Sequence, residues 1–176
     1  MAEETVELSR MVKVRNLPPD GMVVEADAEE RARLAARFGI CAIHALSASV
    51  ALEPKGESSV RATGRLTAEI EQDCSVSGEA FATRIDEPIE LLFIPEADSA
   101  GESDEEVELA SDDLDEVGFT GDSFDLGEAV AQTLGLAIDP YAEGPGADAA
   151  RAEAGIASDD SPAGPLAAAL AALRKN

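Results

Sequence analysis

The sequence predicts an α+β fold: an antiparallel meander sheet, open or curled into a half-barrel, packed with two helices, plus acidic disordered loops and a short C-terminal helix. Three observations predict it. From Val60 to Cys74 the even positions Val60, Ala62, Gly64, Leu66, Ala68 and Ile70 are apolar or small, and the odd positions from Arg61 to Asp73 are all polar. That is the period of a strand with one buried and one wet face. Second, apolar runs on either side are joined to this strand by short Gly-containing turns, the pattern of a meander. Third, Asp27 with Glu30, and Asp125 with Glu128, place an acceptor and a Glu three residues apart at the start of a helical pattern.

Taken in order, residues 5 to 14 alternate, with Val6, Leu8, Val12 and Val14 on one side and Glu7, Ser9 and Lys13 on the other, which predicts a first strand. Leu17-Pro18-Pro19-Asp20-Gly21 ends it in turn chemistry. Met22 to Ala26 reads as a short strand and Asp27 to Phe38 as a capped helix stopped by Gly39. Arg31, Leu34, Ala35 and Phe38 share one face of that helix, while Glu29 and Arg33 pair four apart. Strands follow over Ile43 to Glu53, Val60 to Cys74 and Ala80 to Ile94; Pro88 in the last marks a sheet edge or bulge.

Residues 96 to 115 are too acidic and too poor in apolar side chains to order themselves and read as a flexible loop. Val107 to Leu109 and Glu116 to Thr120 form either a closing hairpin or edge strands. In the second helix, Asp125 to Ile138, Leu126, Val130 and Leu134 recur every four residues before Pro140 ends it. Gly127 and Gly135 each weaken it by about 1 kcal/mol relative to Ala. Residues 1 to 140 thus form one domain, 141 to 164 a disordered linker, and 165 to 176 a short amphipathic helix with Pro165 at its opening and Leu166, Leu170 and Leu173 in a stripe.

Charge narrows the function. The 176 residues carry 13 Lys and Arg against 37 Asp and Glu, a net charge of −24, and from Ile85 to Ala150 there is neither Lys nor Arg. Such a field repels phosphate backbones and favours a basic partner. With a single His, no Gly-rich phosphate loop, no Gly-x-Ser-x-Gly and no His-Glu-x-x-His, catalysis is not expected. Two cysteines, Cys41 and Cys74, make no disulfide framework. The start Met1-Ala2-Glu3-Glu4 lacks a signal-peptide pattern, so the expected location is the cytoplasm, with no membrane association.

The segment Glu71-Gln72-Asp73-Cys74-Ser75-Val76-Ser77-Gly78-Glu79-Ala80-Phe81 and the run from Phe124-Asp125-Leu126 to Asp139-Pro140 together resemble the YceD family, the large ribosomal RNA subunit accumulation proteins of bacteria. Leu8-Ser9-Arg10, Ala26 to Arg31 with Leu34-Ala35-Arg37, and Pro165-Leu166 with Leu173-Arg174-Lys175 fit the same resemblance, whose form is similar to the alphaproteobacterial branch. It implies a role in large-subunit biogenesis, with Gln72, Cys74, Asp125, Leu126 and Pro140 as family-motif residues. Many relatives carry Cys-x-x-Cys at the turn and further cysteines after the second helix, a pattern suited to zinc. Here Ser77 replaces the second cysteine and no cysteine follows Pro140, so neither metal nor cofactor is expected.

Two binding modes fit that role. In the first, Asp104, Glu105, Glu106 and the stripe of Leu166, Leu170 and Leu173 hold a basic ribosomal protein or assembly factor of the large subunit. In the second, arginines of the N-terminal half, Arg10, Arg15, Arg61 and Arg65 among them, contact ribosomal RNA directly. Arg61 and Arg65 share the polar face of one strand, about 13 Å apart. The absence of aromatic stacking platforms and the acidic field favour the first.

Overall fold

A computed structural model describes residues 6–96 and 114–156. In chain order they form β1 (Met11–Lys13), β2 (Met22–Glu25), α1 (Ala28–Phe38), β3 (Ala42–Lys55), β4 (Ser59–Asp73), β5 (Ala80–Pro95), β6 (Asp115–Phe119), β7 (Ser123–Asp125), α2 (Leu126–Ala137) and α3 (Ala147–Glu153). Two compact units divide the chain: Met1–Gln72 with Ala82–Asp139, and Asp73–Phe81 with Pro140–Asn176.

In the first unit, the alternation of β4 converts directly into burial. Val60, Ala62, Leu66, Ala68 and Ile70 are at most 2% exposed, while Arg65 and Glu69 face solvent. β4 pairs antiparallel with β3 over almost its whole length, interrupted by an irregularity between Ile43 and Ala45, and β2 pairs antiparallel with the other edge of β3. The sheet has the order β2-β3-β4-β5-β6 and is open, with β2 and β6 at its edges, not closed into a barrel.

The meander departs from expectation at β6, which joins β5 in parallel, Leu91 opposite Asp115 through Pro95 opposite Phe119. A tight turn imposes antiparallel pairing, but the 19 residues between Pro95 and Asp115 are long enough for a parallel crossover. Residues 116–119, one arm of the alternative closing hairpin, therefore form an edge strand; Val107 to Leu109 lie outside the described residues, as does most of the expected acidic loop. Pro88 sits on the part of β5 that β6 does not cover, where its missing N–H costs no ladder bond on that side.

The expected first strand shrinks to β1, which pairs not with the main sheet but with β7, Met11 opposite Asp125. The reason is local. Ser9 and Arg10 direct their polar groups to Asp125 and Glu30 instead of to a ladder, although Leu8 and Val12 are still buried, at 0% and 5% exposure. α1 opens with the full capping box: the Asp27 carboxylate accepts from the Glu29 and Glu30 N–H groups, and Glu30 accepts from the Asp27 N–H at 2.9 Å. Leu34 and Ala35 are buried on its inner face, and the Glu29–Arg33 pair forms at 3.8 Å. α2 sends Leu126, Val130 and Leu134 into the core, where Phe124 stacks on Phe93 with ring centroids 4.1 Å apart.

In the second unit, residues 141–156, which fall within the expected linker 141–164, include α3. Composition gave no sign of it, since the contacts that hold it come from the β4–β5 turn. The Ser75 N–H donates to the Ala142 carbonyl at 3.0 Å and the Ser75 hydroxyl to the Tyr141 carbonyl at 3.0 Å. Gly144 lies flat against Phe81: a Cβ there would sit 2.9 Å from the ring, so only Gly permits the approach. Ala147 is buried, and Arg151 pairs with Glu143 and Asp148. The segment 165–176, expected as a helix, lies outside the described residues.

Candidate functional site

Asp125 is the most connected motif residue of the first unit. Its Oδ1 accepts from the Arg10 N–H at 2.7 Å and the Gly127 N–H at 2.9 Å, and its Oδ2 accepts from the Ser9 hydroxyl at 2.6 Å. A single carboxylate thus caps α2 and ties down a segment more than a hundred residues earlier. Arg10 continues the network. Its Nη1 and Nη2 donate to Glu30 at 2.7 and 3.0 Å, a bidentate pair, and the same nitrogens donate to the Ser9 and Glu25 carbonyls. The Arg10 guanidinium holds the Glu30 carboxyl below the usual range, although burial opposes it. Leu8-Ser9-Arg10, the α1 cap and the α2 cap therefore act as one staple between chain segments.

Gly127 is a motif residue whose role sequence reasoning missed. It reads as a helix-weakening position, yet a Cβ there would stand 2.7 Å from the Arg10 nitrogen and 2.8 Å from the Ser9 carbonyl carbon. The glycine lets the N-terminal segment lie against the first turn of α2, and no local pattern reveals it. Glu128 also departs from expectation. In place of closing a second capping box it takes both Arg37 Nη groups, at 3.0 and 2.8 Å, because a bidentate guanidinium is a stronger partner than one more N–H. That pairing holds its carboxyl below the usual range.

The arginines that RNA contact would require are largely occupied within the protein. Arg10 pairs with Glu30, Arg33 with Glu29, Arg37 with Glu7 and Glu128, and Arg65 with Asp86, while the Arg31 Nη1 donates to the Ala26 carbonyl. Arg61 is half-buried, its Nε without a hydrogen-bond partner, and Arg15 is exposed. Of Arg10, Arg15, Arg61 and Arg65, the first and the last are thus engaged in ion pairs within the chain. Carboxylates behave differently: Glu87, Glu90, Asp115 and Glu116 are all exposed. Asp104, Glu105, Glu106, Leu166, Leu170 and Leu173 lie outside the described residues.

In the second unit, the motif turn is closed by the Cys74 N–H donating to the Glu79 carbonyl and the Gly78 N–H donating to the Cys74 carbonyl, each at 2.9 Å. Cys74 is buried, and its Sγ accepts from the Ser77 N–H at 3.4 Å. Hydrogen bonds from Ser77, then from the Gly144 and Val76 backbone, draw its thiol down to about 7. Gln72, at the end of β4, is buried at 5% exposure. Elsewhere, Cys41 is exposed and His44 stands across from Glu71, Nε2 to Oε2 at 3.0 Å. Among the described residues no group of three or more His, Cys, Asp or Glu is placed to hold a metal, and no helix is long and apolar enough to cross a membrane.

Fold and motif staple together define an acidic α+β protein whose motif residues join distant segments. The chain belongs to the YceD family: the family model for the large ribosomal RNA subunit accumulation protein YceD matches residues 62–173, more than half of the sequence. The matched span contains the Cys74 turn, Asp125 and Pro140, whereas Leu8-Ser9-Arg10 and the α1 cap precede it. No curated protein and no solved structure matches the chain. The family's name points to accumulation of large-subunit ribosomal RNA and so to ribosome biogenesis.

Proposed function

We propose that the protein is a non-enzymatic, cytoplasmic accessory factor of large-subunit biogenesis that binds a basic ribosomal protein or assembly factor and shields it before its delivery to the nascent subunit. One observation carries this reading. Arg10, Arg33, Arg37 and Arg65 are each paired with a carboxylate inside the chain, while in the stretch without Lys or Arg the described carboxylates Glu87, Glu90, Asp115 and Glu116 are exposed. Each such pair neutralises one charge of each sign, so the net charge of −24 stands, and that field attracts a cationic protein and repels RNA. The same pairing weighs against direct ribosomal RNA contact as the main mode. Accumulation of ribosomal RNA follows indirectly, because a subunit short of one basic protein is assembled poorly and its RNA degraded.

The test is recovery of partners on the tagged full-length chain from cell extract, with and without nuclease, at about 100 and about 500 mM salt. A basic large-subunit protein that survives nuclease and leaves at high salt supports the reading. Recovery only of ribosomal RNA, lost on nuclease treatment, rejects it. A deletion strain tests the family role separately, by a reduced ratio of mature large-subunit to small-subunit RNA on a sucrose gradient.

A further inference from the structure

Residues of β5, the start of β6 and one face of α2 line an open groove of about 590 Å3 within the first unit. Ala129, Gln132, Thr133, Leu136 and Ala137 line one wall, the spacing of a single helix face, over about 12 Å at 1.5 Å per residue. Leu91 and Val117, both half-buried, supply apolar surface opposite. Leu136 is 87% exposed, the largest exposure among the large apolar side chains of the described residues. The remaining lining includes four carboxylates, Glu87, Glu90, Asp115 and Glu116, and no cation.

We propose that this groove seats an amphipathic helix of the basic partner, with its apolar stripe against Leu136 and Val117 and its Lys and Arg side chains against the four carboxylates. The inference rests on the reading of the protein as a holder of a basic protein and gives that reading a site. Charge complementarity carries it. An apolar floor attracts any amphipathic segment, but a rim of four carboxylates with no arginine or lysine in the lining discriminates for a cationic one. A helix fits better than an added strand. The open stretch of β5 beside the groove contains Pro88, which offers no N–H to a strand laid along it, whereas two helical turns match the wall made by α2.

The probe is a fluorescein-labelled synthetic peptide of about four helical turns, with leucines at i, i+4, i+7 and i+11 and lysines flanking the stripe. Fluorescence anisotropy with the full-length chain should show saturable binding that Leu136→Asp weakens roughly tenfold or more. Leu136 is exposed, so an unchanged thermal midpoint verifies that this variant is folded. Paired Glu87→Lys and Glu116→Lys should also weaken it, and the same peptide with glutamates for lysines should not saturate. Equal affinity in the Leu136→Asp chain overturns the inference. So does tighter binding, by about tenfold, in a chain carrying Leu170→Asp and Leu173→Asp, since residues 165–176 would then be the native occupant. Failure of the peptide alongside nuclease-resistant capture of a basic large-subunit protein removes the groove and leaves the broader function; the converse result removes that function and leaves the groove.

Discussion

The arginine-bearing first half and the cation-free stretch from Ile85 to Ala150 differ less in how many charges they carry than in where those charges point. Through Arg84 the chain has 10 Lys and Arg against 14 Asp and Glu, nearly balanced, yet much of the balance is spent on structure. Arg10 alone reaches Glu30 and two backbone carbonyls from different segments. The later stretch supplies no cation of its own for such use, and its described carboxylates other than Asp125 and Glu128 are exposed. A count of arginines therefore overstates what RNA could touch.

The largest expected effect belongs to Arg10. If its guanidinium is a structural staple, Arg10→Met leaves Glu30, whose side chain is 11% exposed, without its bidentate partner and destabilises the domain by about 3 kcal/mol. In a thermal melt that is a fall of about 10 °C. A midpoint that does not move would return Arg10 to the pool of RNA-contacting candidates.

Gly127→Ala sharpens the same point with a sign. Helix propensity alone predicts a gain of about 1 kcal/mol, whereas the close approach of Ser9 and Arg10 predicts a loss of about 1 to 3 kcal/mol from overpacking. Chemical denaturation of the purified variant decides between them.

Glu30 adds a pH dependence. Its folded-state carboxyl is held below its unfolded value, so its contribution to stability is present above the unfolded value and is lost as pH falls through the folded one. Glu30→Gln should therefore melt below the unaltered chain at pH about 7, and the gap should close as pH drops well below about 4. A gap independent of pH would mean that the ionised pair contributes nothing.

The smallest effect is expected at Arg65. Its pair with Asp86 is exposed, so Arg65→Ala should shift stability by under about 0.5 kcal/mol and leave partner recovery unchanged. Loss of bound RNA in that variant would favour the direct RNA mode.

The sheet was legible where one strand decides its own burial. β3, β4 and β5 follow from period-two alternation and short turns, and both long helices from their caps and apolar spacing. What stayed hidden depends on distant partners. β1 is short because Ser9 and Arg10 answer to Asp125 and Glu30. β6 is parallel because its connection is long, and α3 is ordered through Ser75 and Phe81, more than sixty residues earlier in the chain. The occupation of Arg33, Arg37 and Arg65 by carboxylates was similarly unreadable beyond the local Glu29–Arg33 spacing. Gly127 carried no signal except membership of the Asp125-Leu126-Gly127 motif, and the groove beside α2 could not be read at all, because β5, β6 and α2 meet there only in the folded chain.

Direct competition between RNA and protein tests the central claim most plainly. The purified full-length chain is titrated in parallel, at one salt concentration of about 150 mM, with large-subunit ribosomal RNA and with the separated basic proteins of the large subunit. Saturable binding to one or more of those proteins, with no measurable shift of the RNA, is the predicted result. Saturable binding to the RNA, with none of the proteins retained, would contradict it.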